Sequence, residues 1–238
     1  MTTIAIMQPT YLPWIGYFGM IDRADIFVFL DSVQFARRSW QQRNRIKTAN
    51  GPLMLTVPVH KKGARDQTIA EVRIDEQAQF PLTQMRAIEH ALKKAPYFAT
   101  HAEALFGILG GGRSGLSDLN IALITWLAES FGIDSRFVRS TEIETGGAKA
   151  DLLVSICQAL GGDIYLSAPG SRDYIEASGA FEAHGIEVVY HDYQHPAYPQ
   201  LHGAFEPYMS AIDLLFNVGP QSLERIRSGY LEGLPPTS

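Results

Sequence analysis

One cysteine, Cys157, occurs in the 238 residues, so no internal disulfide can form. It lies in the apolar helical pattern Leu152-Leu153-Val154-Ser155-Ile156, which predicts a buried structural thiol rather than a nucleophile. No apolar run approaches the length that spans a membrane, and no charged-then-apolar leader opens the chain; both absences predict a cytoplasmic protein without membrane partners. Net positive charge is absent too: the balance is −5, which excludes nonspecific binding of nucleic acid. No His, Cys and carboxylate grouping has metal-ligand spacing, so no metal site is expected. The run Gly110-Gly111-Gly112 lacks the Lys-Ser or Lys-Thr ending of a phosphate-binding loop and reads as a turn. There is no internal repeat and no low-complexity segment.

What is present is organised around residues 4–47. Ile4-Ala5-Ile6-Met7 is a short apolar run, broken by Gln8-Pro9-Thr10 because proline cannot donate to a sheet ladder. From Trp14, the apolar positions Ile15, Phe18, Met20 and Ile21 recur at helical spacing to about Ala24. Ile26 to Leu30 is a second strand, ending at Asp31. Strand, loop, helix and strand make a βαβ unit, hence a parallel sheet. Ligands of such sheets sit outside the carboxyl ends of the strands. The loops Gln8 to Pro13 and Asp31 to Asn44, rich in polar and aromatic side chains, are therefore the expected active-site loops.

Further along, Leu53 to Val59 predicts a strand that Pro58 confines to an edge, and Ile69 to Ile74 a short returning strand. The polar stretch His60 to Asp66 is the kind of loop that covers a site. Helical periodicity dominates 79–131, divided at Pro96. Arg136 to Arg139, Asp163 to Leu166 and Ile186 to Tyr190 predict strands, with helices at Ala150 to Leu160 and Asp173 to Ala183 between them. Helices are also expected at Ser210 to Phe216 and Gln221 to Tyr230. The fold class is a Rossmann-like α/β domain over 1–238, a mainly parallel sheet flanked by helices, with an added helical segment.

Chemistry is expected from four groups. Gln8, Tyr11, Trp14, Gly16 and Tyr17 surround a helix start, where free N–H groups and a small residue suit a nucleotide. Asp31 and Gln34 would orient an acceptor, beside a basic cluster in which Arg38, Arg43 and Lys47, with Trp40 and Asn44, would hold an anionic group. Lys149, Ser167, Gly170 and Tyr174 are candidates from the second half. Of His184, His191, His195 and His202, His195 between two tyrosines is the acid–base candidate.

These residues resemble the WbqC-like family over most of the chain. The resemblance rests on Gln8-Pro9, Tyr11-Leu12-Pro13-Trp14, Gly16-Tyr17-Phe18, Asp31 with Val33-Gln34-Phe35, and Ser39-Trp40 with Arg43-Asn44-Arg45-Ile46-Lys47. Leu55 to Val59, Tyr165-Leu166-Ser167, His195-Pro196 and Asp213 to Asn217 continue it. It implies a place in bacterial surface-polysaccharide biosynthesis, with glycyl or aminoacyl transfer in O-antigen synthesis as the activity. A more distant resemblance is to the nucleotidylyltransferase superfamily, pantothenate synthetase included. Trp14-Ile15-Gly16-Tyr17 stands where its His-x-Gly-His would fall, with both histidines replaced by aromatics, a departure that argues against nucleotidyl transfer. The expectation is thus an enzyme forming an amide on an amino sugar or small amine. The alternatives are a nucleotidylyltransferase acting on a sugar or acid phosphate, and a noncatalytic nucleotide-sugar-binding protein. No tightly bound cofactor is expected; ATP and Mg2+ are candidate substrates, the partners are small molecules (an amino sugar, amino acid or nucleotide), and a homodimer is a candidate assembly.

Overall fold

In the computed structural model, which describes residues 1–60 and 66–231, five parallel strands form the central sheet. They are β1 (Thr3–Met7), β2 (Ile26–Phe29), β5 (Arg136–Arg139), β6 (Ile164–Ser167) and β7 (Glu187–Tyr190), in the spatial order β5-β2-β1-β6-β7. Ile4 pairs with Ile26 on one side of β1 and with Tyr165 on the other. The chain steps outward from β1 first through β2 and β5, then in the opposite direction through β6 and β7. The strand order therefore reverses beside β1, and ligands of open α/β sheets gather at such a switch point.

Alternation along the strands divides two cores. Ala5, Phe27, Phe29 and Leu166 face α1 (Ile15–Asp22), α4 (Leu116–Phe131) and α8 (Ala211–Val218). Ile4, Ile6, Ile26, Val28 and Tyr165 face α5 (Ala150–Ala159), α6 (Arg172–Ser178) and α7 (Ala180–Ala183). Both faces are covered, which is why β1 and β2 read as continuous apolar runs. The expected helical segment forms α2 (Phe80–Leu92), α3 (Phe98–Gly110) and α4; α3 ends at the first glycine of Gly110-Gly111-Gly112. Cys157 is buried in the smaller core, and burial pushes its thiol up to about 12, as befits an inert structural group.

Four boundaries differ from expectation. The second active-site loop stops sooner, because Arg43–Thr48 is a strand (β3) paired antiparallel with β4 (Gly51–Thr56) in a separate two-stranded sheet. Ile69–Glu71 is a 3-10 turn closed by a Thr68–Glu71 capping box, so its apolar residues enter the core without a strand. The helix after β6 breaks at Gly179 into α6 and α7. The last helix, α9, spans only Ser222–Arg227. The expected covering loop falls largely on residues 61–65, outside those described. No helix among the described residues is long and apolar enough to cross a membrane.

Candidate active site

The loop after β1 is fixed at nearly every residue. Asn44 Nδ2 on β3 donates to the carbonyls of Tyr11 and Leu12 at 3.2 and 2.7 Å. Asn120 Nδ2 on α4 donates to those of Pro9 and Gln41 at 3.0 and 2.7 Å. The buried Tyr11 hydroxyl donates to Gln84 Oε1, and that of Tyr17 to the Gln8 carbonyl at 3.1 Å. Gln8 Oε1 accepts from Gln41 Nε2 at 2.7 Å. These bonds satisfy backbone groups that proline and an Leu12 φ of +44° withdraw from regular structure. Tyr11 and Asn44, expected to meet a ligand, thus act mainly as anchors of this loop.

Against the loop, at the carboxyl end of β1, lies a cavity of about 410 Å³. Met7, Trp14, Tyr17, Trp40 and Tyr208 supply its apolar lining, and Thr10, Asn44 and Arg45 its polar atoms. Its size and composition suit a small-molecule site. The Trp14 ring lies 5.2 Å from that of Tyr208, 5.5 Å from that of Tyr193 and 5.8 Å, stacked, from His195. His195 therefore stands one ring behind the lining. Its Nε2 is buried without a partner among the described residues, and burial lowers its pKa, which keeps the imidazole neutral near pH 7. The Arg45 guanidinium lies 5.8 Å from the centroid of Trp40.

Gly16 does not leave a space for a nucleotide. A Cβ there would come within 2.6 Å of three ring atoms of Trp14, so the glycine houses the protein's own indole. Asp31 is a second correction. Its fully buried carboxylate accepts from Arg139 Nε and Nη2 at 2.8 and 2.7 Å and from the hydroxyls of Ser117, Ser140 and Thr141 at 3.1–3.2 Å. This closed network ties β2 to β5 and α4, leaving no oxygen to orient an acceptor. Lys47 is a third: its buried ammonium donates to the carbonyls of Gly203 and Ala204 in the tail.

The remaining candidates separate. Trp14, Tyr17, Trp40 and Asn44 share the cavity. Gln34 and Arg38 are exposed outside its lining; Gln34 bridges to Thr68, and Arg38 has a φ of +58° with its N–H on Gln42 Oε1. Gln8 and Arg43 are not part of the lining, although each is next in the chain to a residue that is. Ser167, at the end of β6, is buried and bonded to the Ser171 hydroxyl at 2.5 Å. Gly170, Tyr174 and Lys149 are exposed on elements that contribute nothing to the cavity. Met7, Thr10, Arg45 and Tyr208 were not among the expected site residues. Arg45 shares a strand face with Arg43, a period-2 signal; Tyr208 has no local signal, because only the path of the tail brings it there.

A family model described as the WbqC-like protein family matches residues 8–225. The chain belongs to the WbqC-like protein family. It is 37% identical over 229 residues to the uncharacterized protein Rv1507c of Mycobacterium tuberculosis (strain ATCC 25618 / H37Rv), covering 95% of this chain and 98% of that one. No solved structure matches it significantly.

In this WbqC-like protein the tail that delivers Tyr208 is held by a polar cluster around the buried Asp213. Gln200 Nε2 donates to Asp213 Oδ2 at 2.8 Å and to the Glu206 carbonyl at 3.1 Å, while His202 Nε2 meets the Ala91 carbonyl at 2.7 Å. Burial raises the Asp213 carboxyl to about 6, against the lowering pull of Tyr198, Gln200, Lys47 and His202. A carboxyl raised above its unfolded value contributes most at low pH, and that contribution is lost as pH rises toward 6. The cost above pH 6 is about 3 kcal/mol at 1.36 kcal/mol per pH unit. Buried His191, lowered to about 4 by burial and Arg23, works in the opposite direction over much of the same window, so the wild-type profile alone cannot isolate Asp213. Asp213→Asn should be more stable than wild type at pH 7.5 by up to that amount, the gap closing at pH 4. Urea unfolding across that range tests it, and a pH-independent gap would reject it.

Proposed function

We propose that this WbqC-like protein is a biosynthetic transferase or ligase that forms an amide on an amino sugar or small amine, in surface-polysaccharide or related biosynthesis. The observation that carries the reading is the aromatic cavity with one guanidinium at the carboxyl end of the central strand, on a loop fixed by Asn44 and Asn120. Rigid placement of a site is what a bond-forming reaction between two substrates requires. In the ATP-dependent form, a carboxylate attacks ATP and releases pyrophosphate, and the amine then displaces AMP from the acyl adenylate. His195, neutral and adjacent to the Trp14 wall, is the candidate for taking the amine's proton. Nucleotidyl transfer is disfavoured, since Trp14 and Tyr17 replace the two histidines and the indole fills the space over Gly16.

One observation favours a second, noncatalytic reading: among the described residues no carboxylate lines the cavity, and Asp31 is enclosed elsewhere. Pyrophosphate release separates the two. The purified protein, given ATP and Mg2+, should release it over many turnovers only when both glycine and an amino-sugar nucleotide are supplied, and at most one equivalent per protein with glycine alone. A preactivated aminoacyl donor replacing ATP and glycine would instead show transfer without pyrophosphate. Saturable binding with neither product would establish the binding-protein reading.

A further inference from the structure

Arg43, Arg45 and Lys47 alternate along β3, so their side chains leave one face of the strand. Lys47 is satisfied by tail carbonyls. Arg43 and Arg45 are half-buried, the Nε of each is shut off from water without a partner, and neither has an ion pair among the described residues. Two neighbouring guanidinium groups drawn partly out of water without a counter-charge are costly, both through lost solvation and through mutual repulsion. The other half-buried arginine with a cavity or core role, Arg139, holds two carboxylates. Arg45 enters the cavity beside two rings left largely open, Trp40 at 51% and Tyr208 at 52% exposure, and Arg43 leaves the same strand face two residues before it.

We propose that the cavity takes a phosphorylated ring compound, a sugar phosphate or a nucleotide, with its phosphate on Arg45 and Arg43 and its ring against Trp40 and Tyr208. A guanidinium fork matches phosphate oxygens bidentately, and a second fork suits a dianion or diphosphate. Aromatic faces accept either a base or the apolar face of a sugar. The inference rests on this cavity being the ligand site of the proposed function.

Titration calorimetry at low salt tests it with four probes: N-acetylglucosamine 1-phosphate, uridine 5′-diphosphate, and their neutral counterparts N-acetylglucosamine and uridine. At least one phosphorylated probe should saturate, with its counterpart at least about tenfold weaker and its affinity falling as salt is added. Which one binds identifies the source of the phosphate. Arg45→Gln should weaken that probe by about 10- to 100-fold and Arg43→Gln by less. Neither variant should lower the melting temperature, because removing one of two uncompensated guanidinium groups relieves part of their solvation and repulsion cost. Phosphorylated probes no tighter than neutral ones, no binding at millimolar concentration, or full affinity in Arg45→Gln would each overturn the proposal. Phosphate-dependent binding without amide formation from any acid and amine would leave this inference standing and sink the proposed reaction. Amide formation at full rate in the Arg43→Gln/Arg45→Gln double variant would do the reverse.

Discussion

Replacing Arg139 with leucine is expected to lower the unfolding free energy by about 3 kcal/mol, within the 3–5 kcal/mol typical when a buried ion pair loses one partner. The loss comes chiefly from what is left behind. Asp31 is fully buried, and among the described residues Arg139 supplies the only cation in its network, through two nitrogens at 2.7–2.8 Å. The three hydroxyls that remain moderate the cost, which places the expectation at the lower end. Adding Asp31→Asn to the leucine variant should recover much of the stability, since the stranded charge is then gone. Urea midpoints at constant m-value measure both steps. A loss below about 1 kcal/mol would place Arg139 with ordinary surface pairs. Ligand affinity at the cavity should be little changed in the double variant, because Asp31 faces β5 and not β1.

The fate of Asp31 shows where sequence reasoning ran out. That a carboxylate ends β2 at the carboxyl edge was legible from the apolar run before it. That Arg139, 108 residues on, would close around it was not, because the partner arrives through the order of strands and not through any local pattern. The same division holds elsewhere. The strands of the sheet, the break at Pro96 and the loop Gln8 to Pro13 follow from local apolar spacing and proline chemistry. β3 was hidden because its alternating positions are basic: Arg43, Arg45 and Lys47 read as a basic, anion-binding loop, although Asn44 and Ile46 between them are buried. In Ile69 to Ile74 the β-branched residues suggested a strand, while the Thr68 and Glu71 that cap a 3-10 turn were the better guide. Of the residues that line the cavity, Trp14, Tyr17, Trp40 and Asn44 stood out in the sequence, whereas Met7, Thr10, Arg45 and Tyr208 emerged only with the tertiary structure.

Gly16→Ala should destabilise the protein by about 1–3 kcal/mol, the usual range for overpacking, even though alanine is the better helix former by about 1 kcal/mol. The new methyl group would occupy space held by the Trp14 ring, and that ring cannot simply swing aside, being packed against Tyr193, His195 and Tyr208. Displacing it would rearrange the cavity wall, so tryptophan emission should shift and affinity for any cavity ligand should fall together with stability. The decisive comparison uses Trp14→Ala as background. With the indole gone, Gly16→Ala should become neutral or stabilising, and the difference between backgrounds is the coupling between the two positions. Equal effects in both backgrounds would mean that the glycine serves the helix backbone and not the ring. The expected coupling sets this chain apart from α/β proteins in which a glycine at this point lets a nucleotide approach the backbone. Here the close approach is made by an indole, so whatever enters the cavity meets an aromatic wall, and recognition of charge passes to the arginines of β3.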